Sequence, residues 1–567
     1  MNYLGKAMDK KFWDAVRKDE RLKGLRETLL NTYEELRREG DLPALKYSEW
    51  KLFFVTGDRS IYQNSFLRYR HSVTVSALLA LIYPDNHEYL DYLMDAIYAI
   101  CDVYTWSYPA HQGAEGNTVS NNSVIDLTAA RVGMDLADIY TLLGDRLEPL
   151  IKSRILAEID RRIFTPFEKS APCAWWESAD SNWVTICMGS VAKTYMLLRP
   201  EKAREYISRF NSGIDNYITG FSEEGVCFEG GEYWIFGFGA FIGYASALRT
   251  FTDGDIDYFK IPKVRNMSLF YQRIFLSGRV TANFADSEVI GVPGALSRIL
   301  KPEFPEINVP SIEKVSFVSP REFDAEIINI LSIMSTDTHD ADVGDNYDSE
   351  FYAPSAEWYI RHTPRFGFAV KGGHNNELHN HNDVGHFIYA KDGMQILCDI
   401  GVGVYDSRYF GPHRYDCLEP SSRCHSVPII DGEYQKFGYE FKARDFKYEN
   451  DEVTLDISRA YGIFGENERI DRRFIIGKEG FSLSDRFTFE DKHTIVERLV
   501  TRIEPDLSKR GVVMIGDVPV RYDADRWECF LGGSEPSARD KKPCYYIDFK
   551  PIGKISDFVI KVDKYKN

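Results

Sequence analysis

Apolar positions along the chain recur with two different periods, and the change of period divides the sequence. Up to about residue 290 the spacing is helical. Over residues 89–101, Leu90, Leu93, Met94, Ile97 and Cys101 fall on one face at i, i+3, i+4, i+7 and i+11. The same pattern predicts helices over 12–38, 72–82, 123–143, 147–163, 183–198 and 203–219. The breaks between them are short and carry Gly, Pro, Asp or Asn. Short connections make neighbouring helices antiparallel, so this part reads as a helical bundle, ring or solenoid. No tight internal repeat supports a regular array.

From about residue 350 the period falls to two. Strands are predicted over 358–362, 366–371, 387–391, 394–398, 453–458, 472–476, 481–489, 494–503, 512–515 and 557–562. Asp392-Gly393 and Asp431-Gly432 are turn signals between them. Many short strands at close intervals predict an antiparallel β-sandwich. Pro302, Pro305, Pro310 and Pro320 mark residues 301–320 as a linker, with further helix expected near 323–334. The expected fold class is α+β and multidomain: a helical domain over residues 1–320, then a β-sandwich domain over 321–567.

Composition narrows the function classes. The 567 residues are 44% hydrophobic and 27% charged, which argues against a largely disordered chain. A net charge of −17 speaks against a broad nucleic-acid-binding face. It leaves room for an anionic small substrate, because a local Arg cluster inverts the field inside one cleft. No run approaches the roughly 18 uninterrupted apolar residues of a membrane span. The first twenty residues hold no apolar run of signal-peptide length, so the expectation is a cytoplasmic protein. Nine scattered Cys without a CxxC pair fit a reduced compartment and buried thiols. Homo-oligomer formation is left open.

Candidate chemistry concentrates in the second half. Seven of the twelve His lie between His362 and His425, most densely in Glu377-Leu-His-Asn-His-Asn-Asp-Val-Gly-His386. On an extended backbone His379 and His381 would point to one side. Counting back from the Asp392-Gly393 turn pairs Phe387 with Cys398 and His386 with Asp399. That brings Asp399 beside the His379–His386 segment, and His425 follows later. Two His and a carboxylate are ligand types that zinc prefers. Spacing alone nominates His386 as readily as His381. The loop around Arg414 and Tyr415 is a further candidate, because loops beside such a cluster often carry function.

The helical half offers two more blocks. Trp175, Trp176 and Trp183 flank Asn182, which is either a helix N-cap or an amide donor to a substrate carboxylate, with the Trp faces stacking on sugar rings. In Phe228-Glu-Gly-Gly-Glu-Tyr233-Trp-Ile-Phe-Gly-Phe-Gly, four Gly around Tyr233 suit a loop where backbone approaches a ligand.

Taken in order, these blocks resemble the heparinase II/III-like polysaccharide lyases. The resemblance rests on Ser181-Asn182-Trp183, Glu229-Gly-Gly-Glu-Tyr233-Trp234, His379-Asn-His381-Asn-Asp383, Cys398-Asp399-Ile-Gly401, Tyr405, Arg414-Tyr415 and His425-Ser-Val-Pro428. It implies an incomplete (α/α) toroid followed by an antiparallel β-sandwich. It also implies β-elimination on uronic-acid-containing, glycosaminoglycan-like oligosaccharides or polysaccharides. By position it assigns a zinc ion in a structural role to His381, Asp399 and His425, and catalytic roles to Asn182, Tyr233 and His379. A second tyrosine falls nearest Tyr415, with Tyr405 and Tyr409 competing. Trp175, Trp176, Trp183 and Arg414 are the expected substrate-binding residues. Which of Tyr233 and His379 is base and which is acid stays open. Two alternatives remain: a glycoside hydrolase using carboxylates among Glu177, Asp180, Glu229 and Glu232, and a non-catalytic glycan-binding protein.

Overall fold

The computed structural model of the protein describes residues 4–38, 40, 42–112, 123–170, 174–278, 280–290, 294–309 and 348–565. The chain divides into two compact units, each gathered from separate stretches of sequence. One holds the described parts of Met1–Gly220, Ile235–Arg265 and Val292–Asp342; the other holds those of Phe221–Trp234, Asn266–Gly291 and Val343–Asn567. Residues 310–320 of the proline-rich linker and the helix expected near 323–334 lie outside the described residues.

The first unit is helical. The single helix expected over 12–38 is interrupted, because Asp19 turns its carboxylate onto the Arg21 N–H and caps a new start. Lys10–Lys18 precedes the break, and Lys23–Arg38 follows the short turn Glu20–Leu22. The helix expected over 72–82 begins earlier, at Ser60, where polar residues hide the period. Asp126 caps Leu127–Leu143 by accepting from the Thr128 and Ala129 N–H groups. Asn182–Leu198 packs against Leu127–Leu143, Pro200–Thr219 and Gly239–Phe251. Val184, Ile186, Met188, Val191 and Tyr195 are buried along it, together with polar Thr185, Ser190, Lys193 and Thr194, so the helix is enclosed on every side.

The second unit is built of antiparallel sheets. Five strands run in the order Ser349–Ala353, Trp358–His362, Gly367–Lys371, Phe387–Lys391, Met394–Leu397. An eight-stranded sheet is centred on Arg469–Gly477, Gly480–Thr488 and Asp557–Asp563. A four-stranded sheet joins Trp527–Pro536, Pro543–Pro551, Ile495–Thr501 and Ile429–Ile430. The sheets share one apolar core. Phe368 meets Phe481 with ring centroids 4.9 Å apart, Phe387 meets Phe474 at 5.2 Å, and Phe549 meets Phe558 at 5.1 Å. Every second residue of Arg469–Gly477 is buried, which is the alternation that made these strands readable.

The hairpin after Phe387–Lys391 departs from the expected register. Lys391 pairs with Met394 and Ala390 with Gln395, but a bulge then pairs Tyr389 with Leu397. The count from the turn is therefore off by one residue. The strand ends at Leu397, and the Cys398 N–H turns to the Val500 carbonyl. Asp399 still comes close to His386, but through the bulge and the neighbouring sheet rather than through the ladder.

Candidate active site and metal cluster

Tyr233 belongs to the second unit, although it precedes most of that unit by more than a hundred residues. Its turn depends on two glycines. Gly230 has φ +93°, and a Cβ there would stand 2.6 Å from the Ser287 Cβ and 2.7 Å from the Phe284 carbonyl oxygen. A Cβ on Gly231 would stand 2.7 Å from the Ile290 side chain. These two glycines make room for the 284–290 loop. The Trp234 indole N–H donates to the Met267 carbonyl at 2.8 Å and anchors the turn.

The Tyr233 ring stacks on the His379 imidazole, with centroids 4.1 Å apart and planes at 28°. The Tyr233 hydroxyl lies 2.7 Å from that of Tyr405. Burial pushes the Tyr405 phenol well above its ordinary value, with neighbouring Tyr233 and Asp286 adding to the shift. Tyr405 therefore holds its proton.

His379 is not on extended backbone. Its φ is +56°, an uncommon conformation for a residue with a side chain. The imidazoles of His379 and His381 converge all the same, on a residue that sequence reasoning missed. His379 Nδ1 lies 2.8 Å from Asp286 Oδ2, and His381 Nε2 lies 3.0 Å from Asp286 Oδ1. The Tyr409 hydroxyl donates to Oδ1 at 2.6 Å, and Arg414 Nη2 donates to the same oxygen at 2.8 Å. Burial would raise the Asp286 carboxyl. The bonds from His379 and His381 and the Arg414 charge outweigh it and hold the group well below the ordinary carboxylate range. The only sequence signal for Asp286 is an acidic residue in Phe284-Ala-Asp-Ser-Glu288, a stretch without a motif.

His381, Asp399 and His425 form a fully buried cluster whose ligand atoms all lie within 4.8 Å of one another. Hydrogen-bond partners fix the proton positions. His381 Nε2 faces a carboxylate, so its N–H is there and Nδ1 carries the lone pair. His425 Nδ1 lies 2.9 Å from the Ser421 carbonyl, so its N–H is there and Nε2 is the free nitrogen. These two nitrogens face each other at 3.4 Å, and Asp399 Oδ2 stands 3.5 Å from His425 Nε2. Asp399 Oδ2 has no hydrogen-bond partner among the described residues. A cation, or a second proton on His425, fills that gap. His386 is set apart by its tautomer. Its Nδ1 accepts the Ser426 backbone N–H at 2.9 Å, which leaves Nε2 protonated 3.6 Å from Asp399. A protonated nitrogen is no ligand, so the structure separates His386 from His381 where spacing did not.

Other candidates are placed differently from expectation. The Tyr415 hydroxyl accepts from Asn380 Nδ2 at 3.3 Å and its ring stacks on Phe437, whereas Tyr405 is the tyrosine that meets Tyr233. Arg414 spends its donors on Asp286 and on the Asn380 and Tyr409 carbonyls, so it holds the loop together.

In the helical unit, Asn182 is the first residue of its helix and Ser181 occupies the cap position, so the N-cap reading fails. Asn182 is buried, and a Cβ on Gly237 would stand 2.8 Å from its Cβ. Trp175 is 63% exposed, and its ring lies 4.7 Å from that of Trp183, which in turn lies 4.9 Å from His111. Trp176 corrects the expectation of a sugar platform. It is 2% exposed, and its indole N–H donates to the Ile125 carbonyl. Glu177 is also occupied, paired with Arg209 at 2.7 Å and bound to the Ala174 N–H.

The eight cysteines among the described residues are all free thiols. Among those residues no helix is long and apolar enough to cross a membrane.

The helix-plus-sheet fold is that of solved structures of heparinase-like polysaccharide lyases. No family model and no curated protein matches the sequence. Solved structures do match. A heparinase III gene product is 11% identical, with 94% of this chain and 84% of that one covered at a TM-score of 0.61. The heparan sulfate lyase of Pedobacter heparinus is 15% identical, with 98% and 93% covered at 0.56. A Paenibacillus xanthan lyase is 9% identical, with 97% and 57% covered at 0.52.

Proposed function

We propose that the protein is a polysaccharide lyase that cleaves uronic-acid-containing glycans by β-elimination. The observation that carries this reading is the Tyr233–His379 stack with Tyr405 on the Tyr233 hydroxyl. β-Elimination needs a base for the C5 proton, an acid for the departing C4 oxygen, and donors for the charge that grows on the uronate carboxylate. Tyr233 and His379 are the acid–base pair. With Nδ1–H given to Asp286, the neutral His379 imidazole carries its lone pair on Nε2, which lies 3.6 Å from Glu229 Oε1. Tyr405, kept protonated by burial, donates to Tyr233 and eases the phenolate that a tyrosine base must form. Tyr405 therefore replaces Tyr415 in this role. Asn182 supplies the carboxylate donor, Trp175 and Trp183 the sugar-stacking faces, and the helical unit closes as an incomplete (α/α) toroid.

The donor set at His381, Asp399 and His425 fits zinc. His381 Nδ1 and Asp399 Oδ2 stand 3.4 and 3.5 Å from His425 Nε2, and all three ligand atoms lie within 4.8 Å of one another. When bound there, zinc would pin the segments that carry His379.

The reading is tested by incubating the protein with heparan, chondroitin, hyaluronan and alginate fragments and following ultraviolet absorbance of the unsaturated product. Turnover should appear with one of them and vanish in Tyr233→Phe. Saccharide cleavage without absorbance would replace the lyase with a hydrolase.

A further inference from the structure

Asp286 is joined to both functions of the histidine segment by one carboxylate. Oδ2 takes the Nδ1–H of His379 at 2.8 Å, and Oδ1 takes the Nε2–H of His381 at 3.0 Å. Both partners lie more than ninety residues along the chain from it. The carboxylate is fully buried. Its backbone is held with care: Ala285, one residue before, is buried at φ +65°. The loop is braced by Gly230 on one side, and by Gly401 on the other, where a Cβ would stand 3.0 Å from the Ser287 carbonyl.

We propose that Asp286 is a positioning residue that sets the tautomers of two imidazoles at once, locking the lone pair of His379 and the metal-facing lone pair of His381 into one arrangement. The argument is a count of donors and acceptors. A carboxylate only accepts, so each imidazole must turn an N–H toward Asp286; in the neutral ring the lone pair then falls on His379 Nε2, which lies 3.6 Å from Glu229 Oε1, and on His381 Nδ1, which faces His425. An amide of the same shape has one accepting oxygen and one donating nitrogen. Asp286→Asn therefore satisfies at most one imidazole, and the other must change tautomer or swing away. Metal retention and the orientation of the acid–base histidine are thus coupled through one side chain that touches neither substrate nor metal. The role for His379 rests on the lyase reading; the tautomers do not.

Three measurements test it. In the wild-type protein, ¹⁵N spectra of selectively labelled histidine should show His379 as the Nδ1–H and His381 as the Nε2–H tautomer. In Asp286→Asn, zinc affinity measured by chelator competition should fall about 10–100-fold. Turnover of the uronate fragments should fall about 100-fold or more with KM within about threefold, because substrate contacts stay in place. A wild-type His379 protonated on Nε2 overturns the proposal, even if the variant does not fold. So does a folded variant with unchanged zinc affinity and turnover. A wild-type protein inert on every uronate would end the lyase reading, while the spectra and zinc affinity would still decide the role of Asp286.

Discussion

Two buried carboxylates in the sheet unit each sit between two imidazoles, yet their surroundings differ. Asp286 accepts from His379, His381, Tyr409 and Arg414, and both its oxygens are used. Asp399 Oδ2 lies 3.6 and 3.5 Å from the Nε2 atoms of His386 and His425, Oδ1 accepts the Gly401 N–H, and Oδ2 has no hydrogen bond among the described residues. A carboxylate that already holds four donors serves to orient its neighbours. A carboxylate with a bare oxygen beside two nitrogen lone pairs has the makings of a metal ligand. Similar residues in similar burial thus divide into two roles by the count of donors alone.

The largest expected effect comes from splitting the two shells. His379→Ala should lower turnover by about 10²–10⁴-fold while leaving metal content unchanged. Asp399→Asn should do the reverse in order. It should empty the site and destabilise the fold by about 3–5 kcal/mol, the usual cost of removing one partner from a buried charged set. Metal analysis and urea unfolding with and without chelator check both. If the two variants lose activity and metal in equal proportion, the division between the shells is wrong.

A smaller effect sharpens the comparison on the Asp286 side. Tyr405→Phe removes the hydroxyl that meets Tyr233, whereas Tyr415→Phe removes one that meets Asn380 and Arg414. Steady-state rates should fall about tenfold or more for the first and clearly less for the second.

The smallest effect is a pH slope. Burial pushes the Glu377 carboxyl, four residues before His381, up to about 7, and nearby carboxylates add to the rise that Lys371 opposes. A raised acid binds more protons folded than unfolded. Its contribution to stability is therefore greatest at low pH and is lost between about pH 4.5 and 7. Glu377→Gln should flatten that part of the stability curve, read by urea unfolding at pH 5 and pH 8. An unchanged slope would mean that Glu377 ionises normally.

Much of this was legible along the chain because it is local. Trp358–His362, Phe387–Lys391 and Val512–Ile515 lie where alternation places them. Short-range alternation failed for Trp527–Pro536 and Gly438–Lys442, where most side chains are exposed or only partly buried. His379, His381, Asp399 and His425 stood out by residue type and density, and three of them do converge. Trp176 looked like its exposed neighbours, and only its burial tells it apart. The glycines at 230 and 231 announced a close approach, but not that the approaching group is the chain itself.

The sequence by itself determined the two kinds of secondary structure and the residue types that hold the chemistry, since periodicity and composition are set by nearest neighbours. Tertiary structure decided which tyrosine meets Tyr233, which histidine turns a lone pair toward Asp399, and that Asp286 joins His379 to His381. Those choices depend on a bulge, two left-handed residues and contacts across more than ninety positions. Hydrogen-bond partners at such separations leave no periodic trace in the chain.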